Sequence, residues 1–214
     1  MRKVSKWIAV FMALIFVFSL CGCGNGGSGK NIIGTWETEW DMSEAMAYEM
    51  GDEFADFEST LVVSLLFDFN EDGTYKIYLN EEKFKISISD WIDDLCDFAV
   101  EKMYDTFETE SGVDRETADS LIYEQYGMTI DEMMRQQIDL LFNVDAFMAS
   151  IETKGNYETK GNKLFLGDGG EVDRSRYDTF SVTGDTLKLE VPKGAPSTPL
   201  SSGLEYPITL YKVK

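Results

Sequence analysis

The sequence predicts an α+β protein, mainly β: an antiparallel meander of eight strands that closes into a barrel, interrupted at about 89–150 by an insertion of three helices. Three observations predict it. Leu61–Phe69 (LVVSLLFDF) and Thr74–Leu79 alternate apolar residues with outward ones on either side of an Asn-Glu-Asp-Gly turn. The pattern aromatic-x-x-x-Gly-[Asn/Asp]-x-Leu-x-Leu occurs twice, from Tyr157 to Leu166 and from Phe180 to Leu189. Between those regions Trp91, Leu95, Phe98, Ala99 and Met103 recur at helical spacing.

The chain opens with three basic residues, Arg2, Lys3 and Lys6, followed by the apolar run Trp7–Leu20. That run has the length of a signal-peptide core and is shorter than the ~20 residues of a spanning helix. It ends at Leu20-Cys21-Gly22-Cys23. These residues resemble the lipobox of bacterial lipoproteins, with Leu20 three places and Gly22 one place before the lipidated cysteine. The resemblance implies a signal peptide over 1–22, a lipid on Cys23 and a Gly/Ser-rich tether over 23–31. The alternative is an uncleaved anchor. Both place the rest of the chain outside the cytoplasm, lipid-anchored or otherwise held at the bacterial membrane and cell surface.

Gly24–Lys30 (GNGGSGK) has the spacing of a phosphate-binding loop. The context excludes that reading. The motif needs a preceding buried strand, a following helix and Ser or Thr after the lysine, whereas Asn31 stands there. Linker composition accounts for the match.

Over 32–214 the elements follow in order. Ile32–Trp40 reads as a strand with Trp36, Thr38 and Trp40 on one face. Asp41 or Ser43 can cap a helix running to about Glu58. The hairpin around Gly73 contains Asp68, Asn70, Asp72 and Gly73, the start of a calcium-loop pattern. Its twelfth position is Leu79 where a calcium loop needs Glu, so it reads as a turn. The insertion then predicts one helix capped by Asp90 and a second over about Val113–Tyr126 ended by Gly127. A third opens on the capping box Thr129–Glu132, with Ile130, Met133, Met134, Ile138, Leu141 and Phe142 on its apolar face. Hairpins turning at Gly161-Asn162 and Gly184-Asp185 follow, then a Pro/Ser/Gly-rich loop at 192–203 and a last strand at Tyr206–Val213.

Composition narrows the function. The whole chain is 43% hydrophobic, and the 192 residues from Cys23 onward are enough to bury a core. The chain has 19 basic and 39 acidic residues, and losing Arg2, Lys3 and Lys6 leaves a more acidic mature form. That charge argues against nucleic acid and against docking on anionic lipid. There is no histidine, and Cys96 stands alone once the signal is removed. Ser-His-Asp, Cys-His and zinc-hydrolase chemistry are thereby excluded. No disulfide framework, metal site, cofactor or catalytic residue is read from the sequence, and the chain is expected not to be an enzyme.

Gly34-Thr35-Trp36 resembles the G-x-W signature of lipocalins and their bacterial lipocalin-like relatives. The FNEDGTY hairpin, the repeated G-[ND]-x-L-x-L and the terminal ITLYKV also look like lipocalin-like domains of secreted bacterial lipoproteins. The resemblance covers about 32–85 and 151–214. It implies a barrel with Gly34 and Trp36 at its base, the tryptophan packed near the chain's end. The helical insertion departs from the family pattern. Two functions remain open. The expected one is binding of a small apolar or amphipathic ligand between the barrel and its helical insertion, with Trp40, Trp91, Met133, Met134 and Phe142 as candidate ligand-facing residues. The other is a protein-interaction or structural module of the cell envelope. An apolar pocket of several hundred Å³ beneath the helices favours the first, and a barrel filled by its own side chains together with an exposed Met/aromatic stripe favours the second.

Overall fold

Eight antiparallel strands close into a barrel in chain order, β1 to β8. The structure is a computed structural model and describes residues 32–51, 54–191 and 204–214. The strands are β1 (Gly34–Asp41), β2 (Val62–Phe69), β3 (Thr74–Leu79), β4 (Thr153–Lys160), β5 (Lys163–Asp168), β6 (Asp178–Thr183), β7 (Thr186–Glu190) and β8 (Ile208–Lys212). Closure is made by β1 against β8, with Trp36 opposite Lys212 and Glu37 opposite Tyr211. Among the described strands it leaves no open sheet edge.

Period-two alternation sets which face each strand buries. Phe67 lies opposite Ile77 and Phe69 opposite Tyr75 across the first hairpin. Leu187 lies opposite Leu210 and Leu189 opposite Ile208 across the last. All eight are buried. The turns at Gly161 and Gly184 sit at φ 63° and 58°, the left-handed conformation that glycine adopts without a Cβ clash. The Asp72 carboxylate accepts from the Thr74 amide at 2.9 Å and from its hydroxyl at 2.6 Å. The aspartate that mimics a calcium ligand is thus spent on the hairpin turn.

Among the described residues there are five α-helices: α1 (Ser43–Met50), α2 (Glu81–Thr106), α3 (Arg115–Tyr126), α4 (Ile130–Leu141) and α5 (Val144–Ile151). A π-helical turn, Phe107–Ser111, ends α2. Helices span more residues than strands, so the fold is mixed α+β and not mainly β.

Three expectations are corrected. The helix expected to reach Glu58 stops at Met50, where Gly51 turns at φ 90°. The first insertion helix begins at Glu81, and Asp90 lies inside it and does not cap it. Its buried residues Phe84, Ile88, Trp91, Leu95 and Ala99 continue one stripe through both halves, and Lys85 pairs with Glu81 one turn back. The insertion holds four helices, not three: Asn143 accepts from the Ala146 amide at 2.9 Å and starts α5. The other two predicted helices stand. Asp114 caps α3 by accepting from Thr117 N, Gly127 ends it at φ 74°, and Thr129 with Glu132 forms the full capping box of α4.

The chain forms two compact units. The barrel unit comprises the described parts of Met1–Trp40, Ser64–Asn80 and Met148–Lys214. The helical unit comprises those of Asp41–Val63 and Glu81–Phe147. Among the described residues no helix is long and apolar enough to cross a membrane.

Candidate functional site

The barrel interior is occupied by its own side chains. A side chain lining a void large enough for a ligand has surface open to that void. Trp36, Phe67, Leu164, Leu187, Leu189 and Leu210 have 0% of their surface exposed. Leu65, Phe69, Tyr75 and Leu166, from the strands between, are buried nearly as fully. An eight-stranded barrel is just wide enough for side chains to fill, and here they do.

Trp36 lies opposite Lys212, near the start of β1 and the end of β8. Its indole N–H donates to the Ile32 carbonyl at 2.6 Å, which satisfies the polar atom of a fully buried ring. The Lys212 ammonium lies 5.3 Å from the ring centre, a cation–π contact made by the strand that completes the barrel. Gly34, at φ 124°, lets that lysine pass: a Cβ there would sit 3.3 Å from Lys212 Cε. Gly34 and Trp36 thus occupy the barrel end, next to the last strand. Two polar groups are also buried in this unit. Ser64 donates to Glu37, and Asp178 accepts from the Tyr206 hydroxyl at 3.0 Å.

The helical unit has a different character. Phe84, Trp91 and Phe98 fall seven residues apart on α2, hence on one face. Rings from other segments fill the intervals. Phe147 stacks on Phe84 with centroids 5.5 Å apart, and Phe142 joins Phe147 at 5.9 Å and Trp91 at 6.2 Å. Phe57 meets Trp91 edge-on at 5.6 Å and Phe98 at 5.3 Å, and Phe54 lies 6.0 Å from Phe98. Trp91 and Phe84 are buried, while Phe54, Phe57, Phe98, Phe142 and Phe147 remain partly open. Each such pair adds about 0.5–1.5 kcal/mol beyond area burial, so the row also holds the 54–57 segment and α5 to α2.

Of the sequence-predicted ligand-facing residues, the structure brings together Trp91 and Phe142. Met134 packs in a separate cluster with Val100, Ala118 and Ile130. Met133 is half-buried on α4, and Trp40 is half-buried on β1 in the barrel unit. Cys23 lies outside the described residues. Sequence reading missed Phe54, Phe57, Phe84, Phe98 and Phe147 as members of one row. The signal for two of them was present, since Phe84 and Phe98 stand one heptad either side of Trp91.

Carboxylates pair with cations across the helical unit, and Lys102 does so beside the row itself. Lys102 places its ammonium 5.2 Å from the Phe98 ring centre and pairs with Asp56 at 3.2 Å. Ser59 donates to Asp94 at 2.6 Å. Arg115 lies 4.8 Å from the Tyr104 ring and pairs through two nitrogens with Glu101, whose carboxyl that hydrogen bonding holds below the usual range. Arg135 donates to Asp93 at 2.6 Å, Asp97 at 2.9 Å and Asp131 at 3.1 Å, tying α4 to α2. Burial, and then the hydrogen bond it donates to Asp119, pushes the Tyr104 phenol up to about 12. The arrangement offers apolar rings, carboxylates and cation-binding edges. That is the chemistry of non-covalent recognition.

Comparison with protein-family models, curated proteins and solved structures returns no match.

Proposed function

We propose that this chain is a lipid-anchored extracytoplasmic protein that acts as a protein-interaction module of the bacterial cell envelope, not as an enzyme and not as a carrier with a ligand inside its barrel. One observation carries this reading: the barrel interior is sealed by Trp36, Phe67, Leu164, Leu187, Leu189 and Leu210, which speaks against a ligand inside it. A filled barrel is a scaffold, and its stability comes from burial of its own apolar faces. The lipobox-like Leu20–Cys23 and the Gly/Ser-rich stretch after it support anchoring through a lipid on Cys23. The G-x-W at a barrel end, with Lys212 over the tryptophan, supports a lipocalin-like barrel whose lumen has been given over to packing.

The small-ligand reading keeps one supporting feature, the partly open rings Phe57, Phe98 and Phe142 of the helical unit. Native mass spectrometry of residues 24–214, purified from the host of origin, separates the two readings. The interaction module gives the mass of the polypeptide alone. A small molecule co-purifying in repeated preparations overturns it.

A further inference from the structure

We propose that the aromatic row of the helical unit is a docking surface for a basic, amphipathic segment of another protein. The proposal rests on the interaction-module reading and names the chemistry of its partner.

The length of the row selects a macromolecule. It runs beside α2 from Phe84 to Phe98, 14 residues or about 21 Å at a rise of about 1.5 Å per residue. Phe84 and Trp91 are sealed beneath it, and the rings left partly open along that length are Phe147, Phe142, Phe57, Phe98 and Phe54. A small amphiphile covers one or two rings. A helix of about four turns covers the row, in the manner of an amphipathic helix laid in an apolar groove.

Charge selects the sign. The segments 41–63 and 81–147 contain 25 Asp and Glu against five Lys and Arg, so the helical unit holds the whole excess of 20 negative charges and the rest of the chain is balanced. Lys85, Lys102, Arg115 and Arg135 are already paired with carboxylates of the same unit. Along α2, Asp90, Asp94, Asp97, Glu101 and Asp105 recur every three or four residues and are exposed. Like charges at that spacing each cost a helix about 0.2–0.5 kcal/mol. A second copy of this unit and an anionic lipid surface are both repelled, and a cationic partner is steered in.

The unit itself displays the contact a partner would make. Lys102 rests on the Phe98 ring with Asp56 behind it, and Arg115 rests on Tyr104 with Glu101 behind it. A cation on an aromatic face, backed by a carboxylate, is the combination a Lys- or Arg-rich amphipathic segment finds along the open rings.

The test uses residues 24–214, which retain every described element, and four probes. These are a helical Lys/Leu peptide, a Glu/Leu peptide with the same apolar face, a poly-lysine of equal charge, and vesicles containing anionic lipid. The Lys/Leu peptide binds at least tenfold more tightly than poly-lysine, and added salt weakens it. Phe57→Ala weakens it about tenfold. Asp56→Asn with Glu58→Gln, at exposed positions that leave the fold intact, weakens it several-fold and flattens the salt dependence. Thermal melts establish that the variants are folded. Equal binding of poly-lysine, or full binding by folded Phe57→Ala, overturns the docking surface by reducing it to diffuse charge. Equal binding of the Glu/Leu peptide overturns the basic partner and leaves the interaction module standing. Preferential binding to the vesicles overturns a protein partner. A co-purified small molecule in the native mass overturns the reading beneath.

Discussion

Leu187→Ala tests the filled barrel. Leu187 is fully buried on β7, opposite Leu210 on β8 and Val182 on β6. Truncation removes about three methylene equivalents at about 0.8 kcal/mol each, a transfer loss of about 2.4 kcal/mol. Its neighbours Leu189 and Leu210 are themselves sealed on a closed sheet and cannot collapse inward freely. A cavity term therefore adds, and the total falls in the upper part of the range of about 2–5 kcal/mol for such substitutions. Urea unfolding of the wild type and the variant measures it: the midpoint falls while the slope stays the same. Val213→Ala, at a position 43% exposed, serves as the control and changes stability by less than about 0.5 kcal/mol. The new apolar void stays dry and admits a xenon atom. A cost below about 1.5 kcal/mol refutes the reasoning, because it means Leu187 already faced open space.

Three further outcomes follow. Cys23→Ala moves the protein from the membrane fraction to the uncleaved-precursor or soluble fraction and abolishes incorporation of a labelled fatty acid; retained label refutes lipidation at that residue. Gly155→Ala places a Cβ 1.8 Å from the Gly167 carbonyl oxygen, and Gly167→Ala places one 1.9 Å from that of Glu171. Each forces backbone apart and lowers stability by at least about 1–3 kcal/mol in a urea melt, whereas an unchanged midpoint refutes the close approach. Tyr104 ionises at about 12 in the folded chain, above the ordinary tyrosine value near 10. Its contribution to stability is therefore complete below pH 10 and is lost as pH rises from about 10 to about 12. In a rapid ultraviolet titration Tyr104→Phe removes one component ionising near 12, and a titration identical to the wild type refutes the assignment.

How much of this was legible in the sequence depends on the range of the interactions. The hairpins, the G-[ND] turns, the Gly127 stop and the Thr129 capping box are encoded within a few residues, and each appears where local pattern puts it. The start of α2 was obscured because Phe84, Ile86 and Ile88 alternate as in a strand while Phe84, Ile88 and Trp91 recur as in a helix. The structure resolves the conflict by leaving Ile86 61% exposed. α5 was missed because eight residues after a half-turn break give too short a period to read. The aromatic row was only partly legible: Phe57 meets Trp91 across 34 residues of chain, a pairing no periodicity reports. Met133 and Met134 shared the apolar face of α4 in sequence, yet packing divides them. Met134 enters a cluster with Ala118 and Val100, and Met133 stays half-buried beside it on the helix.

Crystals of residues 24–214 pressurised with xenon test the central claim most directly, since xenon reports apolar space that water leaves empty. A barrel filled by its own side chains takes up no xenon among Phe67, Leu164, Leu187 and Leu210, and Leu187→Ala takes up one atom there. Xenon or ligand density among those side chains in the wild type contradicts the account and returns the barrel to the role of a carrier.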